Sequence, residues 1–378
     1  MGKKVVVLGA GYGGTGVAAA LDKQAKAADL ELTVVDMREN MVHKLGGLRA
    51  AVDSTWVDKI LVPRDKLLRN GGQVVSDAVV SVGDADVTLA SGETLPYDFL
   101  VVATGAHSNS PGEPGSDVQT AGELRNHFAS NRAAIEAASK IAIIGGGVVG
   151  VELSGEIKHS FPDKEVTIIH SQDTFVSASV PPLPASFQRR IKKQMDKMGI
   201  KYVLGSKAEI DLAEFQGQVV VPGSRTIRTA SGQEVETDLM ILAVGTTPNS
   251  GAFPEAWRNT QGLIKVNEHL QVLDGDSAIP NVFALGDVCD VGENKMAYYT
   301  GLQVPVVVKN LLAVAAGKAS PKKYSPHASS PFMVVPLGPK GGNMATPLGT
   351  FGPFLTSTVK GKGLFLDLAW GPNHVKAP

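Results

Sequence analysis

The sequence predicts an α/β fold with two Rossmann-type domains and a small C-terminal domain, and three observations support this prediction. Short runs of β-branched residues alternate with helical patterns, which is typical of parallel βαβ layers. The order strand, glycine-rich loop, helix, strand, antiparallel meander, strand and small-residue turn occurs twice along the chain. From about residue 319 the composition shifts to Pro, Gly and Ser, which indicates a separate, smaller element.

Each predicted Rossmann-type domain needs a parallel sheet. The strands are predicted at 4–8, 31–35, 99–102, 141–144, 166–169, 201–204, 239–242 and 282–285. Turn signals interrupt the segments 79–105 and 208–245, which predicts an antiparallel meander in each. The predicted domains are then residues 1–115 with 246–318, residues 116–245, and residues 319–378.

The composition excludes several classes of protein. Charged residues make up 19% and apolar residues 43% of the 378 residues, which excludes wholesale disorder. The net charge of −1 does not favour nucleic-acid binding, and the basic run at 189–199 is predicted to be a solvated helix face. Cys289 is the only cysteine, so the chain has no redox-active cysteine pair and is not a disulfide reductase. No metal site is predicted.

The first glycine-rich loop has Gly9, Gly11 and Gly14 in G-x-G-x-x-G spacing, between a predicted strand and a helical run at 15–27. Such glycines allow a tight turn and a close approach of backbone to pyrophosphate, while the helix N-terminus supplies N–H donors. Asp36 ends the next strand, where a carboxylate accepts a hydrogen bond from an adenosine ribose. The loop therefore predicts a dinucleotide site.

The second loop repeats this context. Its predicted NAD(P)H contacts are Gly145, Gly147, Val148, Val149, Gly150 and, in the closing turn, Gly245. The following strand ends in His170 instead of an acid, so the carboxylate that would repel a 2′-phosphate is missing. Relaxed discrimination between NADH and NADPH is expected, unless His170 is simply an exposed residue at a strand end.

A third segment suggests which dinucleotide each loop binds. In "NVFALGDVCD", at 281–290, a strand delivers Asp287, and a helix is predicted to begin near Met296. This pattern resembles the second flavin fingerprint of flavoproteins with two dinucleotide-binding domains. With "VVDMRENMVHKLGGLRAAV", "GGGVVGVELSGEIKHSFPDKEVTIIHSQ" and "IKVNEHLQV", nearly the whole chain resembles the group of apoptosis-inducing-factor-2-like and ferroptosis-suppressor flavoproteins, and more distantly the type II NADH dehydrogenases.

The resemblance implies a glutathione-reductase-like arrangement, non-covalently bound FAD, NADH or NADPH as electron donor, and a quinone of the ubiquinone type as acceptor. The FAD contacts that it implies are Gly9, Gly11, Tyr12, Gly13, Gly14, Asp36, Arg49, Val74, Thr104, Gly105 and Asp287. It also places Lys360 near the active site. The helix start at Met296 and Ala297 is expected to stabilise negative charge on the reduced flavin ring.

Glu152, two residues after Gly150, is expected to face the gap between nicotinamide and flavin, with Lys44 as its partner by analogy with related flavoproteins. The alternative is that Glu152 only places a negative charge near a helix N-terminus, where it is electrostatically favourable. The predicted quinone slot is lined by aromatic side chains, each of which is otherwise explained by core packing: Tyr298, Phe332, Phe365 and Trp370.

The remaining expectations concern location and alternative functions. No signal peptide or apolar span is predicted, and Val6 stands where an acylation signal needs Ser or Thr. A cytoplasmic protein is expected, with at most a peripheral contact of its C-terminal segment to a membrane or lipid droplet. A homodimer is left open. So are two other functions: reduction of a protein or of monodehydroascorbate, and non-catalytic sensing of NAD(P)H.

Overall fold

The computed structural model describes residues 2–215 and 217–377. Its strands, in chain order, are β1 Lys3–Leu8, β2 Leu30–Asp36, β3 Met41–Val42, β4 Leu61–Val62, β5 Gln73–Ser76, β6 Val79–Val82, β7 Asp86–Leu89, β8 Thr94–Pro96, β9 Phe99–Val102, β10 Ala106–Ser108, β11 Lys140–Ile144, β12 Glu165–Ile169, β13 Ile200–Val203, β14 Val220–Arg228, β15 Glu234–Leu242, β16 Thr246–Pro248, β17 Ile264–Lys265, β18 Gln271–Asp274, β19 Ser277–Ala284, β20 Cys289–Asp290, β21 Met333–Leu337, β22 Gly341–Thr346 and β23 Gly349–Phe351.

Helices connect these strands and cover the faces of the sheets. The α-helices, in chain order, are α1 Tyr12–Asp22, α2 Ala25–Ala28, α3 Lys44–Ala50, α4 Val57–Ile60, α5 Ala121–Ala137, α6 Val148–Ser160, α7 Ala185–Lys197, α8 Ala297–Ala315, α9 Pro353–Thr356 and α10 Leu366–Trp370. A π-helical turn follows α9 at Ser357–Gly361. In the described part of the chain, no helix combines the length and the apolar composition that crossing a bilayer requires.

Two sheets form the framework, and their orders are β18-β19-β9-β1-β2-β5 and β13-β12-β11-β15-β14. In the first sheet β1 pairs in parallel with β2 and β9, and in the second β11 pairs in parallel with β12 and β15. Because helices cover both faces, the central strands are apolar and buried after their initial lysines, as in "KKVVVL" and "KIAII". Each of the eight predicted strands lies in one of these sheets, which confirms the Rossmann-type fold class.

Two local predictions need correction. The first helix begins at Tyr12, earlier than predicted, and the helical run breaks between α1 and α2. The segment 208–245 is not a meander but a long antiparallel hairpin of β14 and β15, with a bulge between Pro222 and Arg225. The equivalent three-stranded sheet of β6, β7 and β8 is present in the first half, so the two halves differ in their antiparallel parts.

The C-terminal residues form a small antiparallel sheet, β21-β22-β23, followed by short helices. This sheet contacts α6 closely, because a Cβ at Gly155 would lie 2.5 Å from the Cα of Leu337. A glycine at this position therefore allows the C-terminal sheet to lie directly against the helix that follows the second glycine-rich loop. The proposed domain boundaries at residues 115, 245 and 318 stay predictions.

Candidate active site

The first glycine-rich loop leaves open space at the N-terminus of α1. Gly9 has a φ of +87°, and a Cβ there would lie 2.5 Å from the carbonyl oxygen of Ala103. A Cβ at Gly14 would overlap the carbonyl oxygen of Gly9, so both positions require glycine. At Gly11, by contrast, a Cβ would meet no described atom within 4 Å, and no described side chain caps the helix. The first N–H groups of α1 are thus available to an anion.

The second loop has the same construction at α6. Gly145 has a φ of +118°, and a Cβ there would overlap the carbonyl oxygen of Ala243. A Cβ at Gly150 would overlap the carbonyl oxygen of Gly145. A Cβ at Gly147 would again meet nothing within 4 Å in the described residues, and no described side chain caps α6. The structure thus contains two equivalent helix N-termini, each open and without a capping side chain among the described residues.

Asp36 lies at the end of β2 beside the first loop. Its Oδ2 accepts a hydrogen bond from the Ala10 N–H at 2.7 Å and lies 3.1 Å from Nη2 of Arg64, while Oδ1 accepts from the Arg38 N–H at 3.0 Å. A carboxylate has about four lone-pair sites, so one remains for a ribose hydroxyl. No sequence motif points to Arg64, which is buried here and also donates to the carbonyl oxygen of Ala10.

Asp287 fits a ligand hydroxyl. Burial raises the pKa of its carboxyl, whereas Lys44 and Lys295 act in the opposite direction. Among residues 2–215 and 217–377, no group donates a hydrogen bond to this carboxylate at bonding distance. Because a partly buried carboxylate needs donors, a ligand hydroxyl would satisfy it.

The other predicted FAD contacts lie at the start of α8, on β5 and in the turn after β9. Met296 is the N-cap of α8, and no described side chain caps this helix, which leaves the N–H of Ala297 free of a side-chain acceptor. Val74 lies on β5, an edge strand, so one side of its backbone is unpaired within the described sheet. The Thr104 hydroxyl donates to the carbonyl oxygen of Asn249 at 2.7 Å, and Gly105 has a φ of +68°.

Tyr12 and His43 form a hydrogen-bonded pair next to the first loop. The carbonyl oxygen of Leu364 lies 2.7 Å from Nε2 of His43 and can only accept, so Nε2 carries the proton. Nδ1 therefore accepts from the Tyr12 hydroxyl, 3.0 Å away. Burial lowers the pKa of His43 to about 4, which keeps the ring neutral at pH 7. This fixed pair ties the loop to the C-terminal segment.

A buried ion pair joins the second loop's helix to the C-terminal segment. The Nζ of Lys360 lies 2.6 Å from Oε1 of Glu152. Burial raises the pKa of the Glu152 carboxyl, while the charge of Lys360 opposes this effect. Lys360 occupies the π-helical turn, a type of distortion that frequently occurs at functional sites. The structure therefore brings together two of the three predicted catalytic residues.

A second buried ion pair lies one helical turn further along α6. Arg49 of α3 bonds to both carboxylate oxygens of Glu156, at 3.0 and 2.7 Å, and to the carbonyl oxygen of Gly361 at 2.7 Å. Its guanidinium also lies over the ring of Trp56. The resemblance implies that Arg49 contacts FAD, but its polar partners among the described residues are protein groups. It connects α3, α6 and the C-terminal segment.

The predicted pairing of Lys44 with Glu152 is wrong. The Nζ of Lys44 lies 2.6 Å from Oε1 of Glu113 and donates to the carbonyl oxygen of Ala106 at 2.8 Å. Lys44 and Arg49 are five positions apart on α3, or about 140° around a helix, so only Arg49 faces α6. The role of Lys44 near the flavin stays a prediction.

His170 lies against the second loop, since a Cβ at Gly146 would be 2.8 Å from its ring. Its Nε2 is 3.3 Å from Oγ of Ser177. Burial lowers the pKa of His170, and a backbone hydrogen bond at Thr174 acts against this. The ring is therefore uncharged at pH 7 and offers neither a carboxylate against a 2′-phosphate nor a cation for it.

The four aromatic side chains predicted to line a quinone slot do not form one group. Tyr298 and Phe332 are in contact, with ring centroids 4.9 Å apart, and Tyr298 is 53% exposed. Trp370 is buried with Met41 and donates from its indole to the carbonyl oxygen of Lys59. Phe365 is partly exposed at the start of α10. Only Tyr298 and Phe332 are brought together by the fold.

Comparison with known proteins gives both family and fold. Residues 3–308 match the family described as pyridine nucleotide-disulphide oxidoreductase. Apoptosis-inducing factor homolog B of Dictyostelium discoideum is 31% identical over 381 residues, which cover 97% of this chain and 95% of that protein. Ferroptosis suppressor protein 1 of Homo sapiens is 30% identical over 384 residues, covering 97% of this chain and 94% of that protein.

The fold is also similar to that of solved structures. The sulfide:quinone oxidoreductase from the hyperthermophilic bacterium Aquifex aeolicus aligns with a TM-score of 0.73 and covers 100% of this chain and 93% of that chain. The two sequences are 19% identical, so this likeness concerns the fold alone.

Proposed function

Because the chain belongs to the pyridine nucleotide-disulphide oxidoreductase family, together with apoptosis-inducing factor homologs and ferroptosis suppressor proteins, we propose that it transfers electrons from NAD(P)H through FAD to a quinone. The family makes it an oxidoreductase that uses FAD and a pyridine nucleotide, and the quinone is the proposed part. The balanced reaction is NAD(P)H + H⁺ + quinone → NAD(P)⁺ + quinol. The observation that carries the proposal is that two equivalent glycine-rich loops lead into α1 and α6, and that no described side chain caps either helix.

We place FAD at the first loop. The open position at Gly11 lets the N–H groups of α1 bind the pyrophosphate, and Asp36 retains a site for the ribose. Asp287 would accept a hydrogen bond from the ribityl chain. The N-terminus of α8 would direct its N–H groups towards negative charge on the ring. When bound, FAD accepts a hydride from a nicotinamide and passes electrons to an acceptor.

We place NAD(P)H at the second loop, where Gly147 leaves the N-terminus of α6 open. The neutral ring of His170 would lie beside the adenosine ribose. Because this ring neither repels nor binds a 2′-phosphate by charge, both NADH and NADPH should be accepted.

The Glu152–Lys360 ion pair would hold the nicotinamide end of the site in place. Glu152 is the fifth residue of α6, about one turn beyond its open N-terminus. Its partner Lys360 belongs to the C-terminal segment, which His43 and Arg49 also bind through the carbonyl oxygens of Leu364 and Gly361. Through these contacts α6, α3 and the C-terminal segment keep fixed relative positions, which hydride transfer over about 3–3.5 Å requires.

The proposed quinone site is bounded by Tyr298 and Phe332. Tyr298 is the second residue of α8, so it lies directly beside the helix terminus that would face the flavin. Its exposed ring and the adjacent ring of Phe332 present an apolar surface of the kind that binds a planar quinone.

We further propose that the C-terminal segment contacts a membrane from its surface, which would bring it close to a lipid-soluble quinone. This segment exposes an unusual number of large apolar side chains, and Phe354 is 81% exposed. The others are Leu348, Leu355, Val359, Phe365 and Leu368. Exposed apolar residues of this density mark interaction surfaces, and short amphipathic segments bind lipid interfaces in this way.

The function is tested with purified holoenzyme and a series of acceptors. Oxidation of NADH and of NADPH is followed with a soluble ubiquinone analogue, with monodehydroascorbate, and with an iron–sulfur protein. We expect turnover with both donors and fastest turnover with the quinone. Faster turnover with one of the other acceptors would identify that acceptor, and not the quinone, as the substrate. A flavin that is reduced but not reoxidised by any acceptor, with a change in oligomeric state on adding NADH, would indicate a sensor.

A further inference from the structure

The loop between β12 and α7, residues 171–184, runs along the proposed NAD(P)H site and is called the strap here. Near its middle, Oγ of Ser177 lies 3.3 Å from Nε2 of His170. Next, the N–H of Val176 donates to the carbonyl oxygen of Gly146, in the second glycine loop, at 2.8 Å. The strap thus contacts both the position proposed for the ribose and the position proposed for the pyrophosphate.

The strap then meets the segment between β20 and α8 at Asn294. The N–H of Val180 donates to Oδ1 of Asn294 at 2.8 Å, and Nδ2 of Asn294 donates to the carbonyl oxygen of Val180 at 2.8 Å. One side-chain amide therefore satisfies both backbone groups of a single strap residue. Val180 is 46% exposed, so this pair of bonds lies at the surface and can open without unfolding a core.

The other side of Asn294 is firmly anchored. Its neighbour Glu293 is buried and accepts hydrogen bonds from Gln303 of α8 at 2.9 Å and from the Tyr324 hydroxyl at 2.7 Å. Gln303 in turn accepts from the N–H of Gly286, next to Asp287, at 2.7 Å. These hydrogen bonds connect the residue next to Asn294 with the proposed flavin site. Asn294 itself lies two residues before Met296, the N-cap of α8.

We propose that Asn294 is a positioning residue for NAD(P)H, whose amide holds the strap across the gap between the second glycine loop and the start of α8. With the strap held, the nicotinamide end of the dinucleotide is confined beside the proposed flavin position. With the strap released at Asn294, its contacts at His170 and Gly146 remain, as do the hydrogen bonds of Phe175 to Gln188 and of Gln172 to Gly205, but nothing holds it to the start of α8. The proposal rests on the proposed binding of NAD(P)H at the second loop and is independent of the identity of the acceptor.

The test uses FAD-loaded Asn294→Ala, Asn294→Asp and wild type. Rapid mixing with NADH gives the apparent dissociation constant and the limiting rate of flavin reduction, and hydrogen exchange reports on the amides of residues 171–184 in the presence of ADP-ribose. Asn281→Ala is the matched control, since this asparagine is half-buried like Asn294 and donates one side-chain bond to the carbonyl oxygen of Asp98, away from the strap.

For Asn294→Ala we expect weaker NADH binding by roughly three- to tenfold, faster exchange of the strap amides, and unchanged FAD content. Asn294→Asp keeps an acceptor for the Val180 N–H and loses the donor to its carbonyl, so an intermediate effect is expected. Wild-type binding and exchange in both Asn294 variants would overturn the proposal, and so would loss of FAD or an equal effect of Asn281→Ala. If wild type itself is not reduced by NADH, the proposed function fails instead.

Discussion

The ammonium of Lys360 lies 2.6 Å from the carboxylate of Glu152, although the two residues are 208 positions apart in the chain. Both side chains are more than nine-tenths buried, with 8% of Lys360 and 9% of Glu152 exposed. An ion pair removed from water to this extent is costly to break, because removing one partner leaves the other charge buried and alone. The pair lies at the start of α6, directly after the second glycine loop.

Removal of the Glu152 carboxylate should affect hydride transfer and leave FAD in place. For Glu152→Ala we expect slower reduction of the flavin by NADH, measured by rapid mixing, with an unchanged ratio of FAD to protein. Glu152→Gln keeps the shape and one hydrogen-bond acceptor, so its rate of flavin reduction should lie between those of wild type and Glu152→Ala. Loss of FAD from Glu152→Ala would show instead that the residue serves only to hold the structure.

Two glycines at equivalent positions allow the two loops to be tested separately. A Cβ at Gly11 or at Gly147 meets no described atom within 4 Å, so Gly11→Ala and Gly147→Ala should both fold. The added methyl group would occupy the space proposed for a pyrophosphate. We expect Gly11→Ala to lose FAD and Gly147→Ala to keep FAD and bind NADH more weakly. The reverse pattern, measured by visible absorbance and NADH titration, would exchange the two assignments.

The choice between NADH and NADPH should depend on residue 170. In His170→Asp a carboxylate would meet the 2′-phosphate of NADPH, whereas it could accept a hydrogen bond from the 2′-hydroxyl of NADH. We expect the KM for NADPH to rise by roughly tenfold more than that for NADH, which corresponds to about 1.4 kcal/mol. Ser177→Ala, which removes only the neighbouring hydroxyl, serves as the control. Equal changes in KM for both donors would contradict the placement of His170 beside the adenosine ribose.

Acidification should destabilise the protein through His43. Its pKa is about 4 in the folded state and near 6.5 in the unfolded chain, so the unfolded state binds more protons between these values. The free energy of unfolding therefore falls as the pH drops from 6.5 to 4, by up to about 3 kcal/mol, and changes no further through this group below pH 4. Urea denaturation at pH 7 and pH 4.5 should show a smaller loss in His43→Gln. An identical loss would mean that another group is responsible.

The sequence predicted those parts of the site that depend on local geometry. The loops at Gly9 and Gly145 follow from short-range constraints, because a tight turn between strand and helix leaves no room for a Cβ. The strands that carry them were predicted from their continuous apolar runs. Asp287 and Lys360 required the family resemblance, since a single carboxylate or lysine has no recognisable spacing.

The long-range contacts were beyond the sequence. The choice of Lys360 over Lys44 as the partner of Glu152 depends on which face of α3 is turned towards α6. Arg64, behind Asp36, comes from a loop with no periodic pattern. The two hydrogen bonds between Asn294 and Val180 depend on how the loop after β12 packs against the segment before α8. These contacts follow from tertiary packing, for which one sequence offers no local signal.

The most direct test of the proposed function separates its two half-reactions. Oxidised holoenzyme is mixed without oxygen with one equivalent of NADH, and the flavin absorbance is followed until it is bleached. A soluble ubiquinone analogue is then added in a second mixing step. We expect bleaching by NADH followed by full return of the oxidised spectrum with formation of one quinol per flavin. A flavin that NADH bleaches but the quinone leaves bleached would contradict quinone reduction.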